Sequence, residues 1–426
     1  MSLLKPAMRF PSAVSQRFVH VAACVANYRC RFRTSNVAGT VLIAVAMAAC
    51  ADKRPTTSAE YLRLPEFVIG QPTSALADDG SAERQFVNIR ARRLPGRMLA
   101  VADIAAATIR IYDGNGTMVR TLARGGNGPG ELPGAFYIAV RDDTIITFGE
   151  PPRSRPDVRV YSATDGYQRF VTSTVPGQPA MTVLGQLSDG TYLVKRGARG
   201  MVVDDIPKLG VVIADSASYG VFAPPPKIDS ALVLWFPKVA AGWYYTFPVT
   251  GNKVVPVSID DFPFRARTLV VNSQDLVWEI ETGTGALKGF NERGVLRFTK
   301  RSSMQPTTFD SKLLASSSEA ELQNAMRAVD TASITAKFAP GIRPDAAPLF
   351  SRAFAGDNGE IWLQRFDLGE TSSQNFVIVD RDGVEIGRAS IPTAIDLQQI
   401  SKNFVLGLRV QPSGTIEIVE LQLTRK

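Results

Sequence analysis

Histidine is all but missing from this 426-residue chain: its single copy, His20, lies in a basic N-terminal leader. Cysteine is nearly as scarce, with Cys24 and Cys30 in the same leader and Cys50 just after it. Zinc sites built on imidazole and thiolate need several such ligands and are excluded. Nucleophilic catalysis of the Ser-His-Asp or Cys-His kind loses its base and is excluded too. A lone cysteine beyond residue 49 cannot close an internal disulfide, so the fold must be held by its own core. A strong charge imbalance is also lacking. The net charge of +8 comes mostly from residues 1–49, which hold Lys5, Arg9, Arg17, Arg29, Arg31 and Arg33 and no carboxylate. Without them 42 basic side chains stand against 40 acidic ones, about +2 in all, and no nucleic-acid surface is indicated.

What the leader does have is a signal-like layout. Arg29, Arg31 and Arg33 precede an apolar run, Val37 to Ala49, broken only by Gly39 and Thr40. At about thirteen residues it is too short for a permanent span and suits a signal-peptide core. Met47-Ala48-Ala49-Cys50 then resembles the lipobox of bacterial lipoproteins, with Met47 where Leu is usual. That resemblance implies lipidation of Cys50 and an exported, membrane-anchored chain. Ala51 after the cysteine leans the expectation toward the outer membrane rather than retention at the inner one. The expected organisation is a leader over 1–49, a lipidated cysteine and flexible tether over 50–60, and one folded domain over 61–426.

From Tyr61 onward the chain reads as short strands separated by Gly, Asp and Asn turns. The loop Gly125-Gly-Asn-Gly-Pro-Gly-Glu131-Leu132 divides two copies of one device. Before it stand Thr108–Tyr112, a turn at Asp113–Gly116, and Met118–Leu122; after it stand Asp157–Tyr161, a turn at Gly166, and Gln168–Val171. Gly116 and Gly166 lie about fifty residues apart, the period of a sheet of about four strands. Such a module cannot bury both faces alone, so it must stack on others around an axis. The expected fold is therefore all-β, a six-bladed β-propeller. Its expected units run over 98–122, 136–172, 183–222, 231–258, 268–300 and 350–391, followed by a terminal pair over 404–423. One segment, Ser311 to Val329, has helical composition and spacing and is expected as a helical insertion.

The order Thr108-Ile-Arg-Ile-Tyr-Asp113, Gly116, Val119-Arg120 and Gly125–Leu132 resembles the NHL-like six-bladed β-propeller lipoproteins of bacteria. Asp357-Asn-Gly-Glu-Ile-Trp-Leu363, Phe376–Asp380 and Val405–Leu408 extend the likeness, and Leu132 stands where Phe is usual. The resemblance implies fold and anchoring. It implies no reaction.

Three candidate sites follow from residue chemistry. In the glycine loop, Arg124, Asn127 and Glu131 would line the mouth of the central channel, with successive glycine N–H groups forming an anion-binding concavity. The alternative is a structural crossover in which Glu131 accepts backbone hydrogen bonds and pairs with Arg124. No Lys-Ser/Thr follows the glycines, so this is not a phosphate-binding P-loop. The second candidate is the aromatic cluster of Trp235, Phe236, Trp243, Tyr244, Tyr245 and Phe247, in which Trp243 and Tyr244 would contact a ligand if exposed. The third is a set of carboxylates near strand ends: Asp103, Glu131, Asp143, Glu150 and Asp357. Oxygen-only ligands suit calcium, although aspartate beside glycine is also ordinary turn chemistry. Arg90, Arg92, Arg93 and Arg97 read as a solvated basic loop. The function expected is a monomeric, lipid-anchored binding or scaffolding module of the cell envelope. Its partner would be an envelope protein or a glycan, and it would need no cofactor. The alternative is a calcium-dependent propeller hydrolase or lyase working with axial carboxylates.

Overall fold

The structure is a computed structural model. It describes residues 59–425 apart from 79, 82–85, 87, 133–135, 150–156, 173–181, 198–211, 223–233, 236–238, 250–252, 259–265, 306–346 and 368–371. The leader, Cys50 and the expected helix at 311–329 lie outside the described residues. After one short helix, α1 (Ala59–Arg63), every long element is a strand.

The strands form six antiparallel sheets in chain order. The first blade is β3 (Ile89–Arg93), β4 (Leu99–Asp103), β5 (Thr108–Tyr112) and β6 (Met118–Ala123). The second is β7 (Phe136–Arg141), β8 (Thr144–Gly149), β9 (Asp157–Ser162) and β10 (Gly166–Thr172). The third is larger: β11 (Thr182–Gln186), β12 (Tyr192–Gly197), β13 (Val212–Phe222), β14 (Leu234–Trp235), β15 (Val239–Val249) and β16 (Lys253–Ser258). The fourth is β17 (Thr268–Ser273), β18 (Leu276–Glu281), β19 (Ala286–Asn291) and β20 (Leu296–Arg301). The fifth is β21 (Phe350–Ala355), β22 (Ile361–Arg365), β23 (Ser373–Val379) and β24 (Glu385–Pro392). The sixth joins both ends of the chain. Its strands β25 (Ile395–Ile400), β26 (Phe404–Val410) and β27 (Ile416–Thr424) are completed by β1 (Val68–Ile69) and β2 (Thr73–Ala77), both paired with β27.

The ring is visible in where alternate side chains go. Successive residues of a strand point to opposite faces, and in a stacked blade both faces meet a neighbour. On β4, Ala100 and Ala102 pack toward the second blade with Ile138 and Ile145. Leu99 and Val101 pack toward the sixth with Leu406 and Ile418. On β22 in the fifth blade, Ile361 and Leu363 meet Trp278 and Ile280 of the fourth, while Trp362 meets Leu397 and Leu421 of the sixth. Val158 and Val160 meet Tyr192 and Val194 between the second and third blades, and Leu193 and Val221 meet Val277 between the third and fourth. All six junctions are thus apolar among the described residues. Six blades, one closed ring.

In the first, fourth and fifth blades the hairpin between the last two strands repeats one device. Asp113 Oδ1 accepts from Asn115 N and Thr117 N, each at 2.9 Å. Asn291 does the same for Arg293 and Val295 at 3.0 and 2.8 Å, and Asp380 for Asp382 and Val384 at 3.0 and 2.9 Å. Such a side chain stands in for a backbone turn partner.

The blade count agrees with the sequence reading, but its partition does not. The units expected at 183–222 and 231–258 are one sheet, because β13 is a continuous strand that pairs with both β12 and β15. Within β13 the pairing with β15 shifts register between Asp215 and Ser216, a bulge. The sixth blade is instead built from β25–β27 and the N-terminal strands. The segment from Tyr61, read as extended, starts as α1. Tyr61 is buried in the junction of the fourth and fifth blades, its hydroxyl donating to Ala389 O at 3.2 Å and Arg365 lying 4.7 Å over its ring.

Candidate axial binding site

The first strand of every blade faces the axis: β3, β7, β11, β17, β21 and β25 each contribute to one cavity of about 970 Å³. Its wall is mixed. Ile138, Leu184, Val271 and Phe354 supply apolar surface, and Arg92, Arg93, Arg141 and Arg381 supply cations. Asp142, Asp275 and Asp357 supply carboxylates, and Gln186, Asn272, Gln274, Gln398 and Gln399 supply carboxamides.

A run of hydrogen bonds ties the blades together around this cavity. Arg141 Nη1 donates to Ser188 O at 3.0 Å, from the second blade to the third. Ser188 N donates to Gln274 O at 3.1 Å, and Gln274 Nε2 to Asp357 O at 2.6 Å. Asp357 N reaches Ile400 O at 2.8 Å, and Gln399 Nε2 reaches Asp357 Oδ2 at 2.7 Å. Gln399 Oε1 then accepts from Arg93 N at 2.6 Å, which returns the run to the first blade. Five successive junctions are bridged in this way. Asp142 and Gln274 sit in left-handed backbone, with φ of 53° and 50°. Each is the first residue of a two-residue hairpin loop, β7–β8 and β17–β18, where positive φ is what the turn requires.

Most charges in the cavity are already matched. Arg93 pairs with Glu420, and Arg381 Nη2 lies 3.2 Å from Asp275 Oδ2. Arg141 is spent on the carbonyls of Leu187 and Ser188. Arg92 is different: its guanidinium donates to Ala91 O of its own strand at 3.0 Å and forms no ion pair among the described residues. Burial pushes its pKa down to about 10, against the pull of Asp357 and with the push of Arg90. Asp357 is reached by solvent from the cavity, yet the crowding around it raises its carboxyl above the usual range. The Gln399 bond, Arg92 and Ser401 oppose that rise. Arg92 and Asp357 therefore feel each other's charge without touching.

The sequence candidates fall in different places. Arg124, Asn127 and Glu131 lie on the crossover from β6 to β7 and are not among the residues lining the cavity. Glu131 Oε2 accepts from Gly128 N at 2.7 Å, and Leu132 N donates to Arg124 O at 2.8 Å. The loop approaches its own carboxylate so closely that a Cβ on Gly126 would stand 2.0 Å from Glu131 Oε2. Leu132 is buried in the junction of the first two blades. Arg124 is exposed and forms no ion pair with Glu131 among the described residues. Trp243 and Tyr244 lie on β15, paired with Ala214 and Ile213; their side chains lie outside the described residues, as does Glu150.

Of the carboxylates, Asp103 Oδ1 accepts from Ala106 N at 3.0 Å in a turn, and Asp143 binds the Ser162 hydroxyl at 3.1 Å. Among the described members of that set, Asp357 alone lines the cavity. Among the described residues no three His, Cys, Asp or Glu side chains are grouped to hold a metal ion. The basic run at 90–97, read as a solvated loop, is corrected: Arg90, Arg92 and Arg93 belong to β3, and Arg92 and Arg93 line the cavity. Ile89 and Ala91 of the same strand are wholly buried, and the alternation of residues 86–91 reads as a strand from sequence; what it does not reveal is that the strand faces the axis.

Fold and cavity together define a class: a closed six-bladed β-propeller with a polar, arginine-bearing axial site. No protein-family description matches the chain, and no curated protein matches it either. Solved structures with some likeness include a member of the DUF4221 family from Bacteroides vulgatus, 10% identical, with TM-score 0.48 over 85% of this chain and 99% of that one. A candidate exported protein from Bacteroides fragilis is 12% identical, with TM-score 0.44 over 88% of this chain and 98% of that one. The calcium-binding regucalcin of Agrobacterium tumefaciens is 10% identical, with TM-score 0.35 over 85% of this chain and 96% of that one. At such scores none of them bears on chemistry. The architecture rests on the chain's own strand pairing.

Proposed function

We propose that the protein is an exported, lipid-anchored propeller of the NHL-like kind that works as a binding or scaffolding module of the cell envelope, with its ligand in the axial cavity. The observation that carries this reading is the cavity itself. Its volume of about 970 Å³ lies within the usual range for small-ligand sites, roughly 300–1,000 Å³, and residues from all six blades meet there. Arg92, the unmatched guanidinium on its wall, weighs against a calcium-dependent hydrolase, since it repels the cation such chemistry needs. Anchoring rests on the leader and Cys50, and the envelope partner, whether protein or glycan, follows from that location.

Native mass spectrometry of protein recovered from envelope extract tests the reading. The expected result is a retained ligand mass that disappears in Leu184→Trp, which fills the cavity from an exposed position on its wall. A retained mass unaffected by that plug would place the site elsewhere and refute the axial reading.

A further inference from the structure

Resting on the axial reading, we infer that the cavity's ligand is a neutral polyhydroxylated molecule, a sugar unit, held between Arg92 and Asp357. The argument begins from what the cavity does not select. An anion site needs cations in excess, and here Arg381 is matched by Asp275 and Arg93 by Glu420. Arg92 is the guanidinium with donors left over, and Asp357 stands close enough to discourage a ligand anion. A cation meets the converse problem at Asp357, because the charge of Arg92 on the same wall reaches it.

The pair then offers a planar fork of N–H donors and a carboxylate acceptor with no bond between them. Hydroxyl groups both donate and accept, so neighbouring hydroxyls on one ring satisfy the two ends together. Asp357 cannot swing away. Its backbone N–H is bound to Ile400 O, its carbonyl to Gln274 and its Oδ2 to Gln399, so three blades fix the acceptor before the ligand arrives. Preorganisation of this kind lowers the ordering cost of binding. Phe354, on β21 of the same wall, holds its ring at 69° to Phe376 with centroids 6.0 Å apart. It supplies an apolar surface for the C–H face of a sugar.

Saturation-transfer NMR tests this on the purified protein. The probes are glucose, galactose, mannose, N-acetylglucosamine and their disaccharides, with glucuronate, citrate and glycylglycine as charged and zwitterionic comparisons. The expected result is transfer to at least one neutral sugar. Arg92→Met and Asp357→Asn should each weaken it about tenfold or more, while Arg124→Ala leaves it unchanged. Near-UV circular dichroism confirms that each variant is folded, and Arg92→Lys, which keeps the charge and loses the fork, should weaken binding as well. Transfer to citrate or glucuronate alone, or to glycylglycine alone, would overturn the sugar assignment and leave an axial binding site standing. Neutral-sugar binding that persists in both variants would overturn the placement. No transfer to any probe overturns the inference, and the Leu184→Trp mass experiment then decides whether the axial reading falls with it.

Discussion

Gln399 joins Asp357 and Arg93 through the two ends of one carboxamide: its N–H group donates to Asp357 Oδ2 at 2.7 Å, and its oxygen accepts from Arg93 N at 2.6 Å. A single side chain on the sixth blade therefore spans to the fifth and to the first. Gln399→Ala removes both bonds at a site that solvent reaches, which costs about 0.5–1.5 kcal/mol, the net worth of a typical hydrogen bond. Urea unfolding should show a lower midpoint with an unchanged slope, since the loss is local and the fold persists.

Asp357 makes a pH-dependent prediction. Burial is the main influence and raises its carboxyl above the ordinary value. The folded chain thus holds that proton more tightly than the unfolded chain does. The contribution favours folding below the unfolded carboxylate range and is lost as pH rises through the folded value. Asp357→Asn should accordingly melt higher than the parent at pH 7, with the difference closing by about pH 3. A carboxylate kept at some cost to stability fits a role in binding.

Gly130 should tolerate no side chain. Its φ is +77°, and a Cβ would lie 3.0 Å from both Cβ and Cγ of Tyr167. Its carbonyl also accepts from the Tyr161 hydroxyl at 3.3 Å. Gly130→Ala combines left-handed strain with overpacking and should cost about 1–3 kcal/mol, read as a drop in denaturation midpoint. Asn127→Ala, in the same loop, should cost less.

The closure of the ring can be weakened from the N-terminal side. Leu76 on β2 is buried between the sixth and first blades. Leu76→Ala should destabilise by about 2–5 kcal/mol and speed proteolysis of the N-terminal segment.

The proposed anchoring would depend on one atom, the Cys50 sulfur. Cys50→Ala should abolish incorporation of labelled palmitate and move the protein from the detergent phase to the aqueous phase on Triton X-114 partition. Retention in the detergent phase would refute the lipobox reading.

Much of the architecture was readable because turns and strand alternation are local. Asp113–Gly116, Asn291–Gly294 and Asp380–Gly383 are hairpins because a short polar side chain and a glycine close them, whatever surrounds them. The third blade was read as two units because β13 pairs with β12 and with β15, and such long-range pairing leaves no local mark in the sequence. The axial site was harder still. An arginine alternating with apolar residues looks the same whether its strand faces solvent or an axis. Arg92 gains its meaning from β3 standing innermost, a property of the assembled ring. Asp357 was visible as a carboxylate near a strand end; its partner across the cavity was not.

Val68 pairs with Thr424, and Thr73 with Glu420, so the first strands of the domain wait for the last. Until the final residues emerge, the sixth blade lacks its outer strands, and the first and fifth blades each keep an apolar flank uncovered. Contacts that join chain ends form late, since the intervening loop must close first. A chain whose last strand has not yet emerged therefore cannot latch its propeller, and ring closure falls at the end of synthesis.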